Sequence, residues 1–163
     1  MLCGKKYTLP IRISELIDDG WDINTDALVR KIKPKTTASL SGFRMINEDG
    51  ARFSLNSAYN DSDTEQGLED CLLISVYADN LSSESTKAEF IFPGGVVKES
   101  TAGDVVSVYG DPNNSDLFSE RGYNLEKQLT YDTQKDSGMS FSFVFEEDGT
   151  LTYAKATAKI TKE

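Results

Sequence analysis

Residues 139–145 constrain the fold of this chain more than any other segment. Met139, Phe141, Phe143 and Phe145 recur at strict period two, with Ser140 and Ser142 between them. Successive side chains of a strand point to opposite faces, so the pattern predicts a strand with one packed and one open face. The turn Glu146-Glu147-Asp148-Gly149 follows, its glycine supplying a positive φ. Residues 151–160 then return with Tyr153 on one face and Ala154, Ala156 and Ala158 on the other. An antiparallel sheet packed on one side is the expected consequence.

Weaker signals extend this sheet. Ala51, Phe53 and Leu55 alternate with Arg52, Ser54 and Asn56 after the turn Asn47-Glu48-Asp49-Gly50, so residues 40–55 read as a second hairpin. Leu72, Ile74 and Val76 suggest one strand face, residues 87–92 another strand ending at Pro93-Gly94-Gly95, and residues 129–131 a further one.

Two segments read as short helices. Residues 14–21 offer Ser14 as N-cap, acidic first-turn charge and Gly20 as stop. Residues 101–112 open on a Thr101-x-x-Asp104 capping box and close on Gly110 and Pro112, with Val105, Val108 and Tyr109 on one face. The expected fold is therefore α+β, with short helices packed on one face of an antiparallel sheet. Helix and then strands occur twice, which is compatible with an imperfect tandem of residues 1–92 and 93–163, or with one continuous domain.

Charge and composition narrow the function. The chain has 163 residues, 17 Lys plus Arg against 27 Asp plus Glu, a formal net charge of −10 and no histidine. The negative surface opposes nucleic acid and anionic membranes. Without histidine there is no Ser-His-Asp or Cys-His catalysis, and no HExxH zinc site. Neither a GxxxxGK[ST] nor a GxGxxG phosphate cradle occurs, and no cofactor is expected. Cys71 lies in an apolar run and reads as a small buried hydrophobe, while Cys3 is near the first residue. A membrane would be reached only through a lipid anchor on Cys3 or through an upstream segment.

The remaining site candidates are few. Asp61, Asp63 and Glu65 alternate as in the first half of a calcium loop, but Gln66 and Leu72 stand where an EF-hand needs Gly and Glu. The polar stretch 111–116 reads as a solvated loop, and the acidic turns at 48–49 and 146–148 as exposed. Trp21, Tyr59, Tyr77, Tyr109, Tyr123, Tyr131 and Tyr153 are available for a binding face, and most of them are expected in the core. Tyr59 and Tyr123, in polar sequence, are the surface candidates.

The run Thr101-Ala102-Gly103-Asp104-Val105 through Gly110-Asp111-Pro112, with the strand sequence 141–151 after it, resembles small bacterial envelope domains. These are the SmpA/OmlA-type outer-membrane-assembly lipoproteins and the β-lactamase-inhibitor-protein-like domains. Glu99 departs from the glycine usual there before the cap. Residues 9–21 are similar to small lipoproteins of Gram-positive bacteria. The resemblance implies helices on a curved antiparallel sheet, an extracytoplasmic setting and no catalytic residues. The leading expectation is a non-enzymatic envelope-associated or secreted interaction module binding a protein or glycan. The alternatives are a small carboxylate-dependent hydrolase and a calcium-binding surface module.

Overall fold

The alternating phenylalanines form a strand as expected, at the centre of the C-terminal half of the sheet. The computed structural model describes residues 1–23, 31–79, 89–112, 114–118, 126–132, 138–146 and 148–160. In the N-terminal half the elements are β1 (Ile11–Arg12), α1 (Ile13–Asp18), β2 (Trp21–Ile23), β3 (Lys31–Ile32), β4 (Thr37–Ser39), β5 (Arg44–Asn47), β6 (Arg52–Tyr59), β7 (Gln66–Gly67) and β8 (Leu72–Asp79). Then follow α2 (Ala102–Tyr109), β9 (Asn114–Phe118), β10 (Glu126–Asp132), β11 (Met139–Phe145) and β12 (Leu151–Ala158).

Among the described residues ten strands form one antiparallel sheet, in the path β2-β5-β6-β8-β12-β11-β10-β9 with β1 on β8 and β4 on β6. β3 and β7 pair separately. The protein is thus α+β and dominated by its sheet. β8 pairs with both β6 and β12, so the sheet runs unbroken across residue 92.

Both anticipated hairpins form. Met45 opposes Phe53 across β5 and β6, Gly50 has φ +78°, and the Asn47 side chain accepts from the Ala51 N–H at 2.8 Å. Phe141 opposes Ala156 and Phe143 opposes Ala154 across β11 and β12, with Gly149 at φ +87°. Phe141, Phe143 and Phe145 are buried, so large rings meet small alanines on one face.

Several local expectations are corrected. Ser14 does not cap α1: Arg12 holds that position without a side-chain bond, and the helix begins at Ile13, whose N–H donates to Cys71 O at 3.1 Å. Burying Ile13 and Leu16 takes precedence over a serine cap. Leu72, Ile74 and Val76 do not share a face, because the β6–β8 register passes over Asn56 on one strand and Ile74 on the other. That irregularity switches parity, placing Leu73, Val76 and Ala78 toward the apolar side. Residues 89–92 are not a sheet strand. They bond to the N-terminal segment through a Leu2–Phe90 bridge, with Cys3 N–H donating to Glu89 O at 2.9 Å and Ile91 N–H to Met1 O at 2.8 Å. The stretch 111–116 is not all loop, since β9 starts at Asn114.

α2 has the expected Thr101–Asp104 capping box, and Gly110 ends it at φ +79°. Val105 is buried, and the Tyr109 ring lies 5.5 and 5.8 Å from those of Phe141 and Phe143. Val108, expected in the core, is 42% exposed. It turns instead toward the tight bend at Gly94, where a Cβ would lie 2.3 Å from Val108 Cγ1.

The buried apolar residues divide into two clusters. One gathers Ile13, Leu16, Trp21, Met45, Phe53 and Leu73 with their neighbours; the other gathers Val96, Val105, Phe141, Phe143, Phe145 and Leu151 with theirs. Leu9, Val76 and Phe90 pack partly against both.

Candidate functional site

Opposite the apolar side, the sheet carries polar groups in ordered rows. Strand partners give one row as Ser39, Ser57, Ser75, Thr157 and Ser140, hydroxyl residues directly opposed across β4, β6, β8, β12 and β11. Neighbouring strands stand about 4.8 Å apart, so the row repeats at that interval. Ser75 is buried at its centre, where its Oγ lies 2.8 Å from Thr157 Oγ1 and accepts from Asn56 Nδ2 at 3.2 Å. A second row sets Arg44, Ser54, Tyr77, Lys155 and Ser142 in register across β5, β6, β8, β12 and β11.

Beside these rows Tyr77 and Tyr153 are half-buried, and their rings stack at 5.6 Å between centroids and 29° between planes. They are diagonal neighbours on adjacent strands, a spacing that long aromatic side chains bridge. The face therefore combines aromatic rings, hydroxyls that both donate and accept, and the Lys155 cation.

On the other side an apolar cavity of about 430 Å³ lies where the two core clusters meet. Leu9, Phe53, Val76, Phe90, Phe141 and Ala156 belong to its wall. The N-terminal segment and residues 90–93 also line it, joined by the Leu2–Phe90 bridge. Lys6, Tyr7 and Thr8 contribute the polar side chains.

The residues singled out from sequence are placed differently. Tyr59, expected at the surface, is the last residue of β6 and only 8% exposed; between Thr37 and Leu72 in the sheet it has no open side. Tyr123 lies outside the described residues. Asp61 forms a bidentate pair with Arg12, at 3.0 and 2.7 Å, and this hydrogen bonding holds its carboxyl below the usual range. Asp63 lies 3.4 Å from Lys35, and Glu65 is exposed. Among the described residues no three acidic or thiol side chains converge as a metal site. Cys71 is buried, which pushes its thiol up to about 11, and Cys3 is exposed.

Among the described residues the resolved carboxyl shifts run downward. Lys5 lowers Asp19, the Thr101 N–H lowers Asp104 and the Thr150 N–H lowers Asp148.

Sequence reasoning does not single out Tyr77 or Tyr153 as surface residues. Tyr153 was nonetheless legible, since it alternates against Ala154 and Ala156. Tyr77 was equally legible, since it alternates against Val76 and Ala78, and the irregularity at Ile74 turns only residues 72–74. No helix among the described residues is long and apolar enough to cross a membrane. Comparisons with protein-family models, curated proteins and solved structures find no match to this chain.

Proposed function

We propose that the protein is a non-enzymatic interaction module of the bacterial cell envelope, and that the polar face of its sheet binds a glycan. The observation that carries this reading is the stacked Tyr77–Tyr153 pair beside the half-buried Ser57, Thr157 and Ser140 of the hydroxyl row, whose buried Ser75 ties the row together from beneath. Sugars present apolar C–H faces and many hydroxyls, and a surface of rings and hydroxyls complements both. Tyrosine also contributes contact area at small entropic cost. A protein partner would favour a larger apolar centre than a face interrupted by serines and threonine. The envelope setting rests on the resemblance of residues 101–112 and 141–151 to envelope domains.

The same reading takes α1 and α2 as packed on one side of the sheet, each with its own half of the chain. The approach of Tyr109 to Phe141 and Phe143 supports that arrangement for α2. The test is binding to an array of extended oligosaccharides, followed by calorimetry on any that is retained. Tyr153→Ala and Tyr77→Ala should each weaken binding about tenfold, as removing a central ring costs roughly 1–2 kcal/mol. Retention of no glycan, or an affinity in both variants unchanged from the native chain, would overturn the proposal.

A further inference from the structure

The cavity between the two core clusters is independent of the polar face and points to a second ligand. Protein interiors are packed as densely as organic crystals, with few voids larger than a water molecule. The space of about 430 Å³ is half open to solvent, a cleft with an apolar wall rather than such a void. It falls within the range of small-molecule sites, roughly 300–1,000 Å³. Phe53, Val76, Phe90, Phe141 and Ala156 offer no side-chain hydrogen-bonding group, so the part of a ligand lying against them must be apolar.

The polar side chains on the wall are Lys6, Tyr7 and Thr8, with Lys6 the one cationic side chain, and the Met1 ammonium, bonded to Ile91 O, belongs to the same lining. Lys6 is exposed and makes no ion pair among the described residues, whereas its neighbour Lys5 is bonded to Asp19. A polar cleft adjoins the same segment, and Lys6, Glu15 and Asp18 are among its lining residues. With Asp19 and Lys5 also on that cleft, its carboxylates outnumber its lysines, so a singly charged headgroup is repelled less there than a dianionic phosphate. We propose that the cavity binds a free fatty acid, with the acyl chain between the two clusters and the carboxylate at Lys6. The Leu2–Phe90 bridge joins two of the lining segments.

The test is calorimetric titration of the full chain with dodecanoate below its micelle concentration, beside dodecanol, dodecyl phosphate and phosphatidylglycerol vesicles. Saturable one-to-one binding of dodecanoate, tighter than of dodecanol or dodecyl phosphate, is expected. Lys6→Ala should weaken dodecanoate roughly fivefold, the scale of an exposed ion pair, and leave dodecanol unchanged. Ala156→Leu, which puts bulk into the cavity, should abolish binding of both. Lys6→Ala changes only an exposed side chain, so it keeps the test decisive if Ala156→Leu does not fold. No binding of dodecanoate, equal affinity for dodecanol, or an unaltered titration in folded Ala156→Leu would each overturn the proposal. Binding to vesicles alone would also overturn it, since that outcome describes a membrane surface rather than a cavity.

Discussion

In the C-terminal half Phe141, Phe143 and Phe145 enter the core from one strand, opposed by alanines and leucine of β12. In the N-terminal half Ile13, Leu16, Trp21, Met45 and Phe53 arrive from α1, β2, β5 and β6, short elements that meet only through the tertiary structure. The first core follows from local alternation. The second depends on specific latches: Ile13 N–H on Cys71 O, the Arg12–Asp61 pair, and the buried Asn60. One half should therefore respond most strongly to lost volume, and the other to lost polar partners.

The largest effect is expected at Phe143. Its ring is buried and lies 5.3 Å from Phe92 and 5.8 Å from Tyr109. Phe143→Ala should cost about 3–5 kcal/mol in chemical denaturation, from lost transfer energy and the cavity left behind. Ser142→Thr, on the opposite face, should stay within about 0.5 kcal/mol. Equal stabilities would mean that the sheet is assigned inside out.

The N-terminal counterpart is Asn60. Its Nδ2 donates to Ile32 O and Thr64 O, both at 2.8 Å, and its Oδ1 accepts from Ser62 N–H at 2.9 Å. Asn60→Ala leaves those backbone groups without their partner and should cost roughly 1–3 kcal/mol. A loss below about 0.5 kcal/mol would show that water replaces these bonds and would weaken the contrast between the halves.

Gly94 probes the seam between α2 and its neighbouring bend. At φ +78°, with a Cβ destined to lie 2.3 Å from Val108 Cγ1, Gly94→Ala should cost about 1–2 kcal/mol. Adding Val108→Ala should recover the steric part and leave the backbone part. Strict additivity of the two changes would exclude the contact as the cause.

The contrast also explains what the sequence made legible. Period two from 139 to 145 and the glycine turns at 50 and 149 specify both hairpins, because each signal acts between residues close in the chain. Asn56 and Ile74 leave no such signal: the register change depends on how β6 meets β8, and it turns the expected face of residues 72–74 around while Val76 keeps its side. Tyr59 read as loop because Asn60 and Asp61 follow it, although the strand continues to Tyr59 and buries it. Neither the hydroxyl row nor the cavity was legible, since both are assembled from strands or segments far apart in sequence.

The smallest effect is the most specific to the N-terminal half. Hydrogen bonding from Arg12 holds the Asp61 carboxyl below its ordinary value, near 3.9, with the guanidinium charge assisting and desolvation opposing. A carboxyl lowered in the folded state binds protons more readily when the chain unfolds. Its stabilisation is therefore full above about pH 4 and disappears as pH falls through the lower folded value. The side chains are 38% and 34% exposed, so solvent screening limits the pair to less than about 1 kcal/mol. Denaturation of the native chain and of Asp61→Asn at about pH 6 should show that small difference, and at about pH 2.5 the two curves should converge. Asp19, Asp104 and Asp148 are also lowered, so the total acid loss is shared and only the difference between the two proteins isolates Asp61. Added salt should shrink the gap at the higher pH, while the Phe143→Ala deficit should survive both salt and acid. An Asp61→Asn gap that persists in acid would instead mean that this latch acts by shape and neutral hydrogen bonding, bringing the N-terminal half closer to the packing logic of the other.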